Sequence, residues 1–386
     1  MSNFDRHNLQ RLRRYSGRLN RLMQEGVLEG MPERKRSRLV GKIRGLYESL
    51  LGVVPEATLR GILAAGAVLV LGLSACGPGP SGGDVSFGLP VENPYGFSTD
   101  AYVVFPAFAD IDGDGDQDLF TVGEAGLLFH ENTGSPVSPS FAAPVTNPFG
   151  IAPIDYLLPS FADIDGDGDM DLLHMGYGYD GMGLEFYENT GTATSPAFAA
   201  PVVGAFGVTD LDVEPFIVVA DLDGDGDMDV LANTYDYYGD TGPVFLENTG
   251  TATSPAFAAL AVNTFGIGDL PEYSNRVMAA GDVDGDGDLD IITGGRGRYD
   301  YSSYTYSDAG FYYLENVGSR SAPSFRAPRL NPMGLTALDS ESTYPTLVDL
   351  DADGDMDLVA GTYGGYDFDT FSYLPAGLFY FENRTL

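Results

Sequence analysis

The sequence predicts an all-β protein, a five-bladed β-propeller of four-stranded blades behind a short helical leader, on three observations. An aspartate ladder occurs five times: DIDGDGDQD (110–118), DIDGDGDMD (163–171), DLDGDGDMD (221–229), DVDGDGDLD (282–290) and DLDADGDMD (349–357). A strand ending in a Glu-Asn turn signal follows each ladder, from LLFHENTG (127–134) to LFYFENRT (378–385). A third element, such as SFAAPVTNPFGI (140–151), follows the first four of those strands, but its fifth copy, SFGLPVENPYGF (86–97), stands ahead of the first ladder.

The leader comes first in the chain. Residues 1–60 hold 13 basic and 6 acidic residues, whereas residues 61–386 hold 7 Arg, no Lys and 50 acidic residues. Helical spacing of Leu, Ile and Arg over Asn3–Glu25 and Pro32–Leu51 predicts two amphipathic helices with basic faces. Fifteen uncharged residues follow (61–75), too few for a spanning helix but the right length for a signal-peptide core. Their end, Leu73-Ser74-Ala75-Cys76, resembles a bacterial lipobox, so that Cys76 is the expected lipidation site and 77–85 a flexible tether. The sixty-residue region ahead of it is longer than such signals usually carry, and is either a cytoplasmic extension or a sign that translation starts later, for instance at Met31. The alternative for 61–76 is an uncleaved anchor with a basic cytoplasmic tail. Both readings attach the protein to a bacterial cell envelope and place the rest of the chain outside the cytoplasm.

Residues 86–386 carry the repeats, with ladder starts 53, 58, 61 and 67 residues apart. Each ladder sits between apolar stretches, so ladder and flanks read as a β-hairpin with a long, Gly-containing loop. Naming the strands of a unit A to D, the last unit ends after C, and its missing D strand is supplied from 86–97. A ring closes if that N-terminal strand completes the last blade, which is how radial repetition limits exposed edges. An open solenoid is the alternative, although it would not require the swapped element.

The ladder is metal chemistry. Oxygens at loop positions 1, 3, 5 and 9, with Gly at 6, surround one centre, and the position-7 backbone carbonyl can add another ligand. Like charges about 4 Å apart repel by roughly 4 kcal/mol at an effective dielectric of 20, so such loops demand a cation. Oxygen-only ligands on a flexible loop favour Ca²⁺ over Mg²⁺, and the lack of His and Cys argues against zinc or copper. The expected ligands are Asp110, Asp112, Asp114, Asp116 and Asp118 in the first loop, and Asp163, Asp165, Asp167, Asp169 and Asp171 in the second. They continue as Asp221, Asp223, Asp225, Asp227 and Asp229, then Asp282, Asp284, Asp286, Asp288 and Asp290, then Asp349, Asp351, Asp353, Asp355 and Asp357. An EF-hand would need Glu at position 12, where this chain has Thr121, His174, Ala232, Thr293 and Ala360.

The pattern F-A-D-x-D-G-D-G-D-x-D-L with a following F-x-E-N-T-G resembles the FG-GAP/VCBS repeat family, which includes the calcium-bearing propeller of integrin α-subunits and some calcium-dependent lectins. The resemblance covers 85–386 and implies Ca²⁺ in each A–B hairpin loop, about five ions in all. Two departures stand out: five units rather than the seven of integrins, and Ala352 in place of the position-4 Gly.

Ligand recognition is expected on the other face, where the B–C connections lengthen along the chain and fill with aromatic residues. These residues are Tyr177, Tyr179, Tyr235, Tyr237, Tyr238, Arg298, Tyr299, Tyr301, Tyr304, Tyr306, Tyr363, Tyr366, Phe368 and Tyr373. Tyr beside Ser, Gly and Asp on exposed loops is a paratope-like composition, pointing to a glycan or protein partner and to an adhesion module. The formal charge of -36, from 56 acidic and 20 basic residues, excludes a nucleic-acid binder. Outside the leader the histidines are His130 and His174, both at positions filled by non-catalytic residues in the other repeats, and no cysteine nucleophile is available. The expectation is therefore that the protein is not an enzyme. The alternatives kept open are a polysaccharide-acting enzyme and a structural scaffold of the envelope.

Overall fold

The computed structural model describes most of residues 85–385; the loop segments 152–157, 235–242, 271–273, 301–304 and 368–371, with scattered single or paired loop positions, lie outside the description. The leader, anchor and tether readings, Cys76 among them, also fall outside the described residues. Val85–Leu386 forms one compact unit.

The strands run in chain order. The first is β1 (Val91–Glu92), and the first blade is β2 (Ala107–Ala109), β3 (Asp118–Gly123), β4 (Gly126–His130) and β5 (Val145–Thr146). The second is β6 (Ser160–Ala162), β7 (Asp171–Gly178), β8 (Gly181–Tyr187) and β9 (Val202–Val203). The third is β10 (Val213–Ala220), β11 (Asp229–Thr234), β12 (Pro243–Leu246) and β13 (Ala261–Val262). Blade four has β14 (Ser274–Gly281), β15 (Asp290–Gly295), β18 (Phe311–Leu314) and β19 (Arg329–Leu330), with a side hairpin of β16 (Tyr299–Asp300) and β17 (Thr305–Tyr306). Blade five has β20 (Thr343–Val348), β21 (Asp357–Thr362) and β24 (Leu378–Phe381), with a side hairpin of β22 (Tyr366–Asp367) and β23 (Ser372–Tyr373).

Blade five is completed by β1, which pairs antiparallel with β24 in the register Val91↔Tyr380 and Glu92↔Phe379. The A strands β2, β6, β10, β14 and β20 neighbour one another in that order, and β20 neighbours β2. The ring is closed, and the swapped element closes it as the sequence predicts.

Both faces of every blade are buried, and the B strands show why the sequence reads apolar straight through. Successive side chains of a strand point to opposite faces. Leu119 packs toward blade five and Phe120 toward blade two; Leu172 and Leu173, Val230 and Leu231, Ile291 and Ile292, and Leu358 and Val359 divide in the same way. Five inter-blade cores result, and a sixth cluster of Val103, Phe105, Leu158, Phe216, Val277 and Tyr344 draws side chains from all five blades.

The F-G element of the D region is a clasp in blades one, three, four and five. Tyr95, Phe149, Phe265 and Met333 lie in the left-handed region (φ 56 to 60°). Their carbonyls accept the N–H of Phe141, Phe198, Phe325 and Phe87 of the next blade at 2.8–3.1 Å. A non-Gly residue held there stores strain. Here each one reaches across an inter-blade gap.

Candidate metal centres

Each ladder is the A–B loop of its blade. Positions 4 and 6 of the loop need positive φ: Gly113 (68°) and Gly115 (94°) in blade one, with the same pair of values within 10° in blades two to four. Position 6 is Gly in all five, because φ near 100° admits no Cβ without strain. Position 4 is ordinary left-handed helix, which Ala352 adopts at φ 56°.

Position 1 turns the loop back on itself. Its Oδ2 accepts the position-6 N–H in four blades: Gly115 to Asp110 (3.1 Å), Gly168 to Asp163 (3.2 Å), Gly287 to Asp282 (3.0 Å) and Gly354 to Asp349 (3.1 Å). In blade three the same oxygen, Asp221 Oδ2, accepts Arg320 Nη2 at 2.8 Å.

Position 9 ties the loop to strand C. Asp118, Asp171, Asp229, Asp290 and Asp357 each accept on Oδ1 the backbone N–H of Asn132, Asn189, Asn248, Asn316 and Asn383, at 2.7–2.8 Å. In blades two to five the other oxygen accepts the N–H of position 2, at 3.1–3.3 Å. Asp290 and Asp357 also take the hydroxyls of Tyr313 (2.8 Å) and Tyr380 (3.0 Å). The asparagines were not singled out from the sequence, although their recurrence in every Glu-Asn turn was the available signal. Their side chains shape the C–D turn: Asn189 Oδ1 accepts from Gly191 (3.1 Å) and Ala197 (2.9 Å).

This frame gathers carboxylates. Asp110, Asp112 and Asp114 place ligand atoms within 4.8 Å of one another, as do Asp163, Asp165 and Asp171, then Asp221, Asp223 and Asp225, then Asp282, Asp284 and Asp286, then Asp349, Asp351 and Asp353. At position 7 of the same loops, Asp116, Asp169, Asp227, Asp288 and Asp355 each hold a buried Oδ1 with no hydrogen-bond partner. Buried partnerless oxygens recur at positions 1 and 3, on Asp110, Asp221, Asp349, Asp112, Asp165, Asp284 and Asp351. Burying a carboxylate oxygen without a partner costs roughly several kcal/mol, so a set of them within one loop, beside a carboxylate triad, fits a hard cation.

The electrostatics agree. Burial first, and neighbouring aspartates after it, push Asp116, Asp227, Asp288 and Asp355 up to about 6. Burial pushes Asp118, Asp171, Asp229 and Asp357 to about 7, and Asp290 to about 8, against the hydrogen bonds that pull them down. Each loop holds more negative charge than it can keep near neutral pH without a counter-ion.

The opposite face is less fully described. Tyr179, Tyr235, Tyr237, Tyr238, Arg298, Tyr301, Tyr304 and Phe368 lie outside the described residues. Tyr177 is on β7, opposite Met182, and the two side hairpins set Tyr299 opposite Tyr306 and Tyr366 opposite Tyr373. Tyr363 stands edge-on to Tyr102 at 5.9 Å, and Phe105 packs on Tyr344 at 4.4 Å. Arg296 bridges by backbone to Ser342 beside Glu341, whose carboxyl is raised by burial against the pull of Arg296. His130 is buried 3.2 Å from Thr121 Oγ1, and His174 is buried 3.3 Å from Glu185.

Comparison with known proteins follows this geometry. The FG-GAP-like repeat matches at residues 110–174, 163–232 and 221–293, each match running from one ladder into strand B of the next blade. No curated protein matches the chain. Similar solved structures include an Agrocybe aegerita lectin that recognises non-reducing terminal N-acetylglucosamine (18% identity, TM-score 0.37, 72% of this chain and 80% of that chain). They also include the catalytic domain of a Coprinopsis cinerea GH62 α-L-arabinofuranosidase (12%, 0.46, 80% and 100%) and a Podospora anserina α-L-arabinofuranosidase (11%, 0.44, 79% and 98%).

One expectation is corrected here. The histidine and nucleophile census led to the reading that the chain is not an enzyme. Glycoside hydrolases stand among the similar structures beside a lectin, so the exclusion fails. The physical reason is that glycoside hydrolysis runs on paired carboxylates and needs neither histidine nor cysteine.

Proposed function

Starting from a chain that carries FG-GAP-like repeats, we propose that it is a calcium-stabilised, extracytoplasmic propeller that engages a glycan through the face opposite its metal loops. The observation that carries the calcium half is the set of buried, partnerless carboxylate oxygens, at position 7 in every blade. Calcium suits an all-oxygen loop that offers five carboxylates and a backbone carbonyl and imposes no rigid octahedron. The ions tie each A–B hairpin and cancel charge that otherwise splays the loops, while the opposite face is left to the ligand. The side hairpins set Tyr299 opposite Tyr306 and Tyr366 opposite Tyr373 in register, and the edge-on pair of Tyr363 and Tyr102 offers rings of the kind that stack against sugar faces. Attachment through Cys76, or through an uncleaved 61–76 segment, completes the proposal by keeping the propeller at the envelope surface.

Glycan hydrolysis is the second reading, favoured by Glu341, a carboxyl outside the ladders that burial holds protonated more readily than usual. A glycan panel probed in millimolar calcium and again in EDTA tests the first reading, with calcium-dependent hits expected. A blank panel from folded, calcium-loaded protein overturns glycan recognition. Release of reducing sugar from a bound glycan, abolished by Glu341→Gln, favours the second.

A further inference from the structure

The five metal loops are not equivalent, because one of them already holds a cation. The C–D turns of blades two, three and four roof the ladder loops of the blades before them. A Cβ on Gly113 would lie 2.8 Å from the carbonyl of Ala193, one on Gly166 2.8 Å from that of Ala252, and one on Gly224 2.9 Å from that of Arg320. In the four continuous turns the residue at this place is Pro136, Ala193, Ala252 or Arg320. Only the turn of blade four brings a charge to the loop beneath it. Arg320 Nη2 sits 2.8 Å from Asp221 Oδ2, the oxygen that in the other loops accepts the position-6 N–H. Asp221 Oδ1 is buried and partnerless, as is Oδ1 of Asp227, which is 7% exposed. Asp221, Asp223 and Asp225 keep ligand atoms within 4.8 Å of one another.

We infer that Arg320 is a tethered cation of the third site: it holds the blade-three loop in its binding shape before metal arrives, and makes that site the weakest of the five for a divalent ion. The inference rests on the reading that the loops bind calcium. A guanidinium one carboxylate away from the ion repels it, while in the metal-free protein the same charge offsets aspartate repulsion. Arg320 therefore acts with opposite sign in the two states, which a merely decorative surface pair would not do. Because it comes from blade four, it also latches blades three and four together when no metal is present.

Native mass spectrometry of the full chain, counting bound ions as free calcium is raised, reads the first effect; the melting temperature in EDTA reads the second. In the wild type the five-ion species appears at higher calcium than the four-ion species. In Arg320→Ala and Arg320→Gln the last step moves to about fivefold lower calcium, the size of one exposed charge coupling, and the metal-free melting temperature falls. Arg326→Ala, which removes a partner of Glu315 instead, moves neither. In a D225N background the fifth ion is lost and Arg320→Ala no longer shifts any step. The inference is wrong if either readout is unmoved in both Arg320 variants. It falls together with its premise if no ions bind at all, whereas five ions with unshifted steps overturn the inference alone.

Discussion

At the scale of single residues the ladder is a balance between burial and charge. Position-9 aspartates are pushed to about 7 or 8 and position-7 aspartates to about 6 in several blades, far above an exposed carboxylate. A group whose pKa is higher in the folded state binds more protons there, so its contribution to stability is full below the unfolded value and is lost as pH rises through the folded value. The metal-free protein should accordingly melt at progressively lower temperature between about pH 4 and pH 8. Saturating calcium should remove or reverse that slope, because the ion binds the charged forms; melting curves over this range in EDTA and in calcium check both. Ala352 offers a second test at this scale. Its left-handed φ of 56° carries strain that glycine relieves, and Ala352→Gly should stabilise the calcium-loaded protein by about 0.5–1 kcal/mol. The gathering of carboxylates in each ladder was legible from their spacing. The part played by the position-7 side chain was not, since spacing alone pointed to its backbone carbonyl, and only burial shows the carboxylate turned inward.

At the scale of elements, the hairpin loop and the C–D turn are one unit, joined through the position-9 carboxylate and the asparagine of strand C. Asn189 is 1% exposed, and its side chain alone satisfies the N–H groups of Gly191 and Ala197. Asn189→Ala leaves both donors without a partner and should cost about 2–4 kcal/mol, measured by denaturant unfolding in calcium. The sequence displayed this unit as two separate repeats because the hydrogen bonds that join them span 14 to 26 residues. The strand assignments were more readable, since apolar runs bounded by Gly and Asn turns fix where strands begin and end. The B strands run apolar without alternation because both of their faces meet a neighbouring blade. The side hairpins of blades four and five could not be read, as their tyrosine-rich segments carry no periodic pattern to separate strand from loop.

At the scale of the whole molecule, closure decides whether the blades persist. The ring was legible in the sequence because one element was displaced, and β1 against β24 is what that displacement builds. Leu378 and Asn93 exchange hydrogen bonds across this seam, and Arg384 N donates to Ser86. Deleting residues 86–93 exposes an edge of β24 and takes Phe87 out of the core that holds Phe311 and Phe381, so the deleted protein should self-associate and lose its cooperative melt, as read by sedimentation and near-UV circular dichroism. The metal proposal is also global, because ions at five loops would act on one fold. Extracellular calcium modules bind at about 10⁻⁴–10⁻³ M, so 10 mM calcium contributes about 1.4–2.7 kcal/mol per site. The measurement that tests this most directly is the melting temperature in 10 mM calcium against that in EDTA. The account predicts a fall of at least about 10 °C on chelation. An unchanged melting temperature would contradict it.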